Sequence, residues 1–361
     1  MHDTPLLKGP HMTAMSMTRR SALLGGASLT LAAGVTHTLP AFAQNAPYPL
    51  LSQGRLTQRD PATYYAERLS GGPGKDGIPA IDAPHFWTPD EADGYLDGGD
   101  IVFGLVENGI ARAYPQRILV WHEIVNDTVG GTGLAVTYCP LTGTAITFER
   151  ANTEFGVSGR LVNSNLIMFD RDTDTWFPQI LAVGISGPHQ GGALVERPIM
   201  WTTWDRWRAT HPDTEVLSTQ TGFARNYNRD PYGAYNPRRG YYEPDSDRMF
   251  PVMNEDGRLP LKSVVLGART ADASVAVRKD ALREAGRLEL KSGGTVFTAI
   301  HDTALDTGYI FAGRTQAQAS TDGTGPNGVT WSGGDGLTPV NAFEAMWFAW
   351  AAFYPETFLH G

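Results

Sequence analysis

The chain has 361 residues, a formal net charge of -9, and 41% hydrophobic residues. This length accommodates one large domain or two of ordinary size with a buried core, so we expect a globular protein. An acidic chain whose basic residues are scattered gains little from counterion release, which makes nucleic acid an unexpected partner. The 41 glycines and 24 prolines, with few long helix-period runs, favour strands and turns.

The N-terminal stretch has the features of an export signal. Arg19 and Arg20 precede an uncharged run, and Ala41 and Ala43 form an A-x-A arrangement after it. We therefore predict that residues 1–43 are a twin-arginine signal peptide with upstream residues, used by the twin-arginine export machinery, and that the mature protein is periplasmic. The apolar run is short and glycine-rich, so we expect no stable membrane insertion after cleavage, with an uncleaved anchor as the alternative.

Comparison of the chain with itself predicts an internal duplication. The stretch "DIVFGLVENGIARAYP" resembles "SVVLGARTADASVAVR", and the regions that follow fall into register. Cys139 follows Gly104 by 35 positions and His301 follows Gly267 by 34, which makes Cys139 and His301 near-equivalents. We predict a β-rich α+β fold with two pseudo-symmetric β units, each carrying a Trp-bearing helix.

The duplication sets the expected domain boundaries. After the signal, residues 44–97 form an N-terminal extension, residues 98–218 the first copy and residues 262–361 the second copy. The connector, residues 219–261, is rich in Tyr, Pro, Asn and Asp, which predicts a long ordered loop over the surface that covers the cleft between the copies.

Tryptophans recur at helical spacing near the end of each copy. Trp201, Trp204 and Trp207 stand three positions apart, and Trp347 and Trp350 repeat the pattern. Residues at this spacing share one face of a helix. Such a stripe could line a ligand pocket, but we interpret it as a face that packs against a sheet.

Cys139 is the only cysteine of the chain. In "LAVTYC" a strand would place Tyr138 and Cys139 on opposite faces, with Cys139 on the smaller and more polar face. Pro140 then favours a turn, so the thiol would lie where a strand enters a loop. A single cysteine cannot form an intramolecular disulfide in an oxidising compartment, so Cys139 is either buried and inert or retained for its chemistry.

The motifs around this cysteine carry a family resemblance. "VWHEIVND", "TYCPLTGTAITFER" and "SGRLVNSNLIMFDRDTDTWFPQ" resemble the family catalogued as domain of unknown function 3179 (DUF3179), and the likeness extends to "LPLKSVVLG" and "WFAWAAFYPETF". The resemblance implies no particular activity. It marks as family-pattern positions His122, Cys139, Asn163, Asn165, Met168 and Asp170. The second copy departs from the motif, with His301 and Asp302 in place of Cys139 and Pro140.

One interpretation of these residues is a transition-metal site. Cys139, His122 and His301 could supply a thiolate and two imidazoles, with Met168 as a weak thioether ligand, and this donor set suits copper. Thr144 stands where a C-x4-H cupredoxin spacing would need histidine, and further cysteines for zinc are absent from the sequence. We predict a copper-favouring site for redox or metal handling, against the alternatives of no cofactor and of hydrogen-bonded core histidines.

Two other classes of function stay open, so whether the protein is an enzyme is undecided at this point. In a thiol enzyme, His122 or His301 would activate Cys139 as the nucleophile, and Asn163 or Asn165 would orient that base or donate to an oxyanion. A thioredoxin-type mechanism is excluded because a second cysteine is missing. In a non-catalytic periplasmic binding module, the duplicated shell would hold a small molecule and the thiol would only pack. In each case we expect Asp170 to support the site by holding a loop.

Overall fold

The structure is a computed structural model that describes residues 46–313 and 338–361, together with the backbone of two short strands between them. These residues belong to one compact unit, Leu39–Gly361. The predicted signal peptide, residues 1–43, lies outside the described residues. The described part contains 25 strands and six helices, none of the helices longer than seven residues, so the predicted β-rich class is confirmed. In this part, a helix with the length and apolar character of a membrane span is not found.

The first half of the described chain consists of short strands and four short helices. In chain order they are α1 (Pro61–Ala66), β1 (Leu69–Ser70), β2 (Phe86–Trp87), α2 (Pro89–Asp93), β3 (Ile101–Glu107), β4 (Ile110–Pro115), α3 (Gln116–Leu119), β5 (Ile124–Val129), β6 (Thr132–Cys139), β7 (Thr144–Glu149), β8 (Phe155–Val162), β9 (Asn165–Asp170), β10 (Trp176–Pro178), β11 (Glu196–Arg197), β12 (Met200–Thr203), α4 (Trp204–Thr210) and β13 (Glu215–Leu217).

The second half begins with a small hairpin in the connector. Its elements are β14 (Gly233–Tyr235), β15 (Arg238–Gly240), β16 (Val264–Arg269), β17 (Ser274–Arg278), α5 (Lys279–Ala285), β18 (Arg287–Ser292), β19 (Thr295–Asp302), β20 (Thr307–Ala312), β21 (Gln318–Ser320), β22 (Thr330–Ser332), β23 (Thr338–Val340), β24 (Ala342–Met346), α6 (Trp347–Phe353) and β25 (Phe358–His360).

Two sheets, one in each half, share strand order and direction. The first has the order β12-β3-β4-β13-β2 and the second the order β24-β16-β17-β25. In both sheets the centre is an antiparallel hairpin, β3–β4 or β16–β17. The first strand of each hairpin pairs antiparallel with the strand that precedes a Trp-bearing helix, β12 or β24. On the other side the hairpin is flanked by a parallel strand that follows this helix.

A second pair of sheets also corresponds. The order is β11-β7-β6-β5 in the first half and β18-β19-β20-β23 in the second. Each contains a three-stranded meander followed by a short strand from later in the chain. The sheet β1-β8-β9-β10 packs beside the first of these, and the described residues form two further two-stranded sheets, β14-β15 and β21-β22.

Tight turns set the register of these hairpins. Asn108–Gly109 joins β3 to β4, Gly130–Gly131 joins β5 to β6, and Asn163–Ser164 joins β8 to β9, and both residues of each pair have positive φ. Gly293–Gly294 does the same between β18 and β19. Two-residue turns of this kind match the right-handed twist of the strands, which explains the preference for Gly and Asn at these positions.

The core of each half lies between its two sheets. In the first half Phe103 and Tyr114 pack against Val136. In the second half Leu266 and Phe297 occupy the comparable layer. A larger cluster that includes residues of β8, β9 and helix α6 contains Cys139, so the thiol lies inside the protein.

The tryptophan stripe is only partly helical. Trp204 and Trp207 are buried on α4, as are Trp347 and Trp350 on α6, which agrees with the packing interpretation. Trp201, however, belongs to strand β12, where it is paired with a residue of β3 and half-buried. The expectation that Trp201 shares the helix face was wrong because the helix begins only at Trp204, after the chain has left the sheet.

Candidate functional site

Strand β6 presents its two faces to different parts of the core, as the alternation predicts. Tyr138 joins the cluster between the two sheets of the first half. Cys139 points the other way, into the central cluster, and only 1% of its surface is exposed. The thiol is therefore a buried group at the end of a strand, just before a four-residue turn that leads to Thr144.

The sulfur of Cys139 lies among hydrogen-bond donors. The backbone N–H of Leu166 donates to Sγ at 3.4 Å. The hydroxyl and the backbone N–H of Thr142 also favour the thiolate, while Sγ lies 3.9 Å from the carbonyl oxygen of Ser164. Burial is the stronger influence and, with the charge of Glu123, raises the pKa of Cys139 to about 11. The thiol is therefore protonated at neutral pH.

A buried polar network fixes the turn beside the thiol. Gln179 donates to the hydroxyl of Thr137 at 2.8 Å and accepts from the hydroxyl of Thr144 at 2.6 Å. Asn165 donates to Gln179 at 3.0 Å and to the hydroxyl of Thr142 at 3.1 Å. All five side chains are buried, and their polar atoms satisfy one another. Thr142 is thereby held beside the thiol, and its hydroxyl lowers the pKa of Cys139 against the larger effect of burial.

Glu123 is the unusual group of this region. It follows α3 with a positive φ of 59°, a backbone conformation that costs energy in a residue other than glycine. Its side chain is 6% exposed, and within the described residues its carboxyl group has no hydrogen-bond or ion-pair partner. Burial raises the pKa of Glu123 to about 8, so the group changes charge near neutral pH.

The carboxyl group of Glu123 faces a cavity of about 200 Å³, which we call the thiol cavity. Its walls come from the N-terminal extension, the β8–β9 hairpin and the connector, and are mainly apolar: Ile78, Leu141, Val157, Leu161, Leu166, Met249 and Phe250. Arg160, on β8, is the basic residue of this lining. Tyr232 also lines it, and its hydroxyl has no hydrogen-bond partner within the described residues. A few polar groups in a mainly apolar cavity are typical of a small-molecule site.

Cys139 lies directly behind this cavity. Leu166, which donates to its sulfur, and Leu141, two residues along the chain, are both part of the cavity wall. The charges of Glu123 and Cys139 each raise the pKa of Tyr232, after the larger effect of its burial. A thiol, a carboxyl group and a phenol thus interact at one place, which is the combination expected of an acid–base or nucleophilic site.

His122 is held as a core histidine. Its Nδ1 lies 2.8 Å from the carbonyl oxygen of Pro79, and its Nε2 lies 2.7 Å from the hydroxyl of Tyr227. Both ring nitrogens are therefore engaged within the protein. Burial lowers the pKa of His122, so the ring is neutral at neutral pH.

His301 is not the counterpart of Cys139. In β6–β7 Cys139 pairs with Thr144, and in β19–β20 the pair before the equivalent four-residue turn is Asp302 with Thr307. An ungapped count of 35 positions from Gly267 also reaches Asp302. The expected equivalence was one residue off, and in a strand one residue reverses the face. The Nε2 of His301 lies 3.0 Å from a carboxylate oxygen of Asp306.

The remaining predicted residues have structural contacts. Met168 is fully buried in β9, opposite a residue of β10. Asn163 accepts from the backbone N–H of Met253 at 2.8 Å and so fastens the connector to the β8–β9 turn. Asp170 accepts from the backbone N–H groups of Thr173 and Thr175, at 2.6 and 2.9 Å, and these contacts hold the loop after β9.

The predicted copper ligands do not gather into a recognisable metal site. Across residues 46–313 and 338–361, a group of three or more His, Cys, Asp or Glu side chains placed to hold a metal ion is not found. Cys139, His122 and His301 therefore do not form such a group. Copper binding stays a prediction without support from the geometry.

Glu123 and Tyr232 are the site residues that sequence reasoning missed. Glu123 stands next to His122 in "VWHEIVND", but nothing in the sequence signals its left-handed backbone. Tyr232 lies in the connector, far from the motif along the chain. The available signal was an acidic residue directly before the strand that begins at Ile124, because a carboxyl group buried at such a place requires an explanation.

Fold and site together define a β-rich protein with a buried thiol beside an unpaired carboxyl group. The chain belongs to the family described as "Protein of unknown function (DUF3179)", which matches residues 75–357. Searches of curated proteins and of solved structures found no significant match.

Proposed function

We propose that the protein is a thiol-dependent enzyme in which Cys139 is the nucleophile and Glu123 its proton acceptor. The observation that carries this proposal is the unpaired carboxyl group of Glu123, buried in the wall of a cavity directly beside the only thiol of the chain. A carboxyl group whose pKa lies at about 8 is well placed to exchange a proton near neutral pH.

The reaction that fits these groups is acyl transfer from a small, mainly apolar ester or thioester. The proton of the Cys139 thiol passes to the Glu123 carboxylate while the sulfur forms a bond to the acyl carbon. The electron pair of the C=O double bond moves to the oxygen, which the hydroxyl of Tyr232 can stabilise by a hydrogen bond. Collapse of this intermediate expels the leaving group with the proton of Glu123, and water then hydrolyses the acyl-thiol.

The proposed reaction requires the substrate to reach the sulfur of Cys139, which is buried. Leu141 and Leu166 separate Sγ from the cavity, so the substrate must displace one of them. Leu141 belongs to the turn between β6 and β7, and its carbonyl oxygen accepts from the hydroxyl of Tyr241 at 2.7 Å. We propose that movement of this turn exposes the thiol, as loop motions admit substrates in other enzymes.

Para-nitrophenyl acetate provides a direct test. The enzyme is expected to release nitrophenol and to gain one acetyl group on Cys139, detected by intact mass and peptide mapping. Glu123→Gln should slow acetylation at least tenfold at pH 8, and Cys139→Ser should abolish it. If Cys139→Ser retains the wild-type rate, or if no acetyl group reaches this thiol, the proposal is wrong. Elemental analysis of the untagged protein distinguishes the thiol enzyme from a copper-binding protein. A stoichiometric metal that is lost in Cys139→Ser would favour copper binding.

We also propose that the two halves arose by internal duplication. The matching sheet orders support it, and so does a repeated contact: a Cβ atom on Gly104 would lie 2.3 Å from the ring of Trp207, and one on Gly267 would lie 2.3 Å from the ring of Trp350. In both halves the indole N–H then donates to a threonine seven positions later. Export by the twin-arginine machinery to the periplasm remains our proposal for the location, on the sequence pattern alone.

A further inference from the structure

A second cavity, of about 180 Å³, lies between the two halves and the connector, and we call it the cationic cleft. Trp201 and Tyr235 form one wall, and Gly143 and Met346 lie at its floor. Its opposite side carries residues of α5 and of the turn after β19. The thiol cavity has none of these residues in its lining, so the two sites are distinct.

The charge of the cleft is opposite to that of the chain. Five basic side chains and two acidic ones line it, namely Arg206, Arg238, Lys262, Lys279, Arg283, Asp306 and Glu344. The cleft thus carries a formal excess of positive charge in a chain whose net charge is -9. A cavity lined by one sign of charge concentrates the field and attracts ligands of the opposite sign.

Two of the basic groups are neutralised within the cleft. Lys279 pairs with Glu344 at 2.5 Å, and Arg283 pairs with Asp306 at 2.8 Å. The guanidinium group of Arg206 donates only to neutral acceptors, two backbone carbonyl oxygens at 2.9 Å each. Its charge therefore remains available to the cleft.

Lys262 is held in the same way, by neutral acceptors. It donates to the hydroxyl of Ser246 at 2.5 Å and to the carbonyl oxygens of Tyr241 and Asp247. Its ammonium group also lies 3.4 Å from the centre of the Tyr241 ring. These contacts hold the ammonium group beside the cleft, where burial lowers the pKa of Lys262 to about 8 against the opposing effect of the Asp247 charge, so the group is mainly protonated at neutral pH.

Arg238 is the group free to bind. It is exposed on β15 at the edge of the cleft, and within the described residues its guanidinium group has no hydrogen-bond or ion-pair partner. Its charge lowers the pKa of Tyr235, against the larger effect of burial, which places it near that ring. A free guanidinium fork is suited to carboxylate and phosphate oxygens.

The aromatic wall gives the cleft a second means of recognition. Trp201 and Tyr235 meet edge to face with ring centres 5.1 Å apart, and Tyr235 stacks on Tyr242 at 3.9 Å. Buried contacts fix these rings, so they present a preformed apolar surface beside the cations.

We propose that the cationic cleft binds a small organic anion, whose carboxylate or phosphate group pairs with Arg238 and whose apolar body lies against Trp201 and Tyr235. The ligand class follows from the uncompensated cations, and the need for an organic body follows from the aromatic wall. The site is independent of Cys139 and of any reaction there.

Isothermal titration calorimetry of the full chain tests anion binding to the cationic cleft, with benzoate and phenyl phosphate as probes. Inorganic phosphate serves as an anion that lacks a ring, and benzylamine as a ring that carries a positive charge. At least one aromatic anion should bind, more tightly than inorganic phosphate, and benzylamine should not. Sodium chloride should weaken the binding. Arg238→Gln should weaken it at least tenfold, and Trp201→Leu should reduce the advantage of the aromatic anions over inorganic phosphate.

Arg239→Gln is the matched control, because Arg239 is the exposed neighbour on the same strand and lines neither cavity. It should bind as the wild type does, and so should Cys139→Ser. The proposal is overturned if none of the three anions binds at millimolar concentration, if benzylamine binds equally well, or if Arg239→Gln weakens binding as much as Arg238→Gln. Loss of acetylation in Cys139→Ser with intact anion binding would separate the two proposed sites.

Discussion

Cys139 and Asp302 occupy corresponding positions in the two halves, each at the end of a strand before a four-residue turn. The carboxylate of Asp302 accepts from the backbone N–H groups of Ala304 and Leu305, at 2.9 and 3.1 Å. In the first half the N–H of Thr142, the position that corresponds to Leu305, donates to the backbone carbonyl oxygen of Cys139 at 3.3 Å, and the sulfur accepts from the N–H of Leu166 on β9 at 3.4 Å. The turn of the second half is thus closed by a side-chain carboxylate, whereas that of the first half is closed by a backbone carbonyl oxygen and its thiol accepts from the neighbouring strand.

The first prediction concerns the acceptor in the second half. Asp302→Ala leaves two backbone N–H groups without their partner, so we expect a loss of about 1–3 kcal/mol in the free energy of unfolding. Asp302→Asn keeps a carbonyl oxygen at the same place and should lose less than half as much. Urea denaturation of both variants measures the difference. Equal losses would mean that the carboxylate charge, and not the closing of the turn, is what stabilises the native state.

The second prediction follows from the buried carboxyl group of Glu123. Its pKa is raised from the ordinary value of 4.5 to about 8, so between these values the native state holds a proton that the unfolded state has released. The free energy of unfolding must therefore fall as the pH rises through this window and level off above pH 8. Glu123→Gln removes this dependence and should be more stable than the wild type at pH 8.5 by a few kcal/mol.

Denaturation at pH 5 and at pH 8.5 tests that prediction, with Glu67→Gln as the control because Glu67 is exposed on the C-cap of α1. The control should keep the wild-type pH dependence. A Glu123→Gln variant with the same pH dependence as the wild type would show that the carboxyl group is already ionised in the native state, and would remove the proton acceptor from the proposed mechanism.

The third prediction concerns the thiol itself. Burial and then the charge of Glu123 raise the pKa of Cys139, so Glu123→Gln should lower this pKa from about 11, by roughly one unit. Because the chain has one cysteine, ¹³Cβ-labelled cysteine gives a single NMR signal whose shift follows the titration. An unchanged midpoint would mean that the two groups do not interact.

The local features of the fold could be predicted from the sequence. The alternation in "LAVTYC" correctly places Tyr138 and Cys139 on opposite faces, and the Asn-Gly and Gly-Gly pairs occupy the tight turns that fix the hairpins. The functional site depends on contacts that local patterns do not contain. The sequence comparison aligned His301 with Cys139 by allowing a gap of one residue. The pairing of strands β19 and β20 has no such gap and places Asp302 at the position of Cys139. Glu123 and Tyr232 meet only after the connector has folded over the first half.

The fourth prediction concerns a buried ion group between the halves. Glu196 pairs with Arg269 at 2.6 Å and with Arg55 at 3.4 Å, and all three side chains are buried. Glu196→Gln would leave two buried guanidinium groups without their counter-charge, so we expect a loss of about 3–5 kcal/mol in the free energy of unfolding. Asp174→Asn breaks the exposed pair with Lys75 and should cost less than about 1 kcal/mol.

Thermal and urea denaturation of these two variants measures the contrast. Arg55 has a pKa lowered to about 10, chiefly by burial, which indicates that Glu196 compensates its charge incompletely. A Glu196→Gln variant as stable as Asp174→Asn would mean that water reaches the two arginines and that the halves are less tightly joined than their contacts indicate.

The last prediction tests the repeated contact between glycine and tryptophan. Gly104 and Gly267 lie in the second strand of their sheets, where an added Cβ atom would approach the rings of Trp207 and Trp350 to 2.3 Å. Each indole is buried on its helix and held through its N–H, so it cannot move aside without repacking the helix. Gly104→Ala and Gly267→Ala should each lower the free energy of unfolding by about 1–3 kcal/mol or more. Gly257→Ala is the control, since nothing lies within 4 Å of its added Cβ atom, and it should remain within about 0.5 kcal/mol of the wild type. If only one of the two buried glycines tolerates alanine, the helix in that half is free to shift, and the two halves are not packed alike.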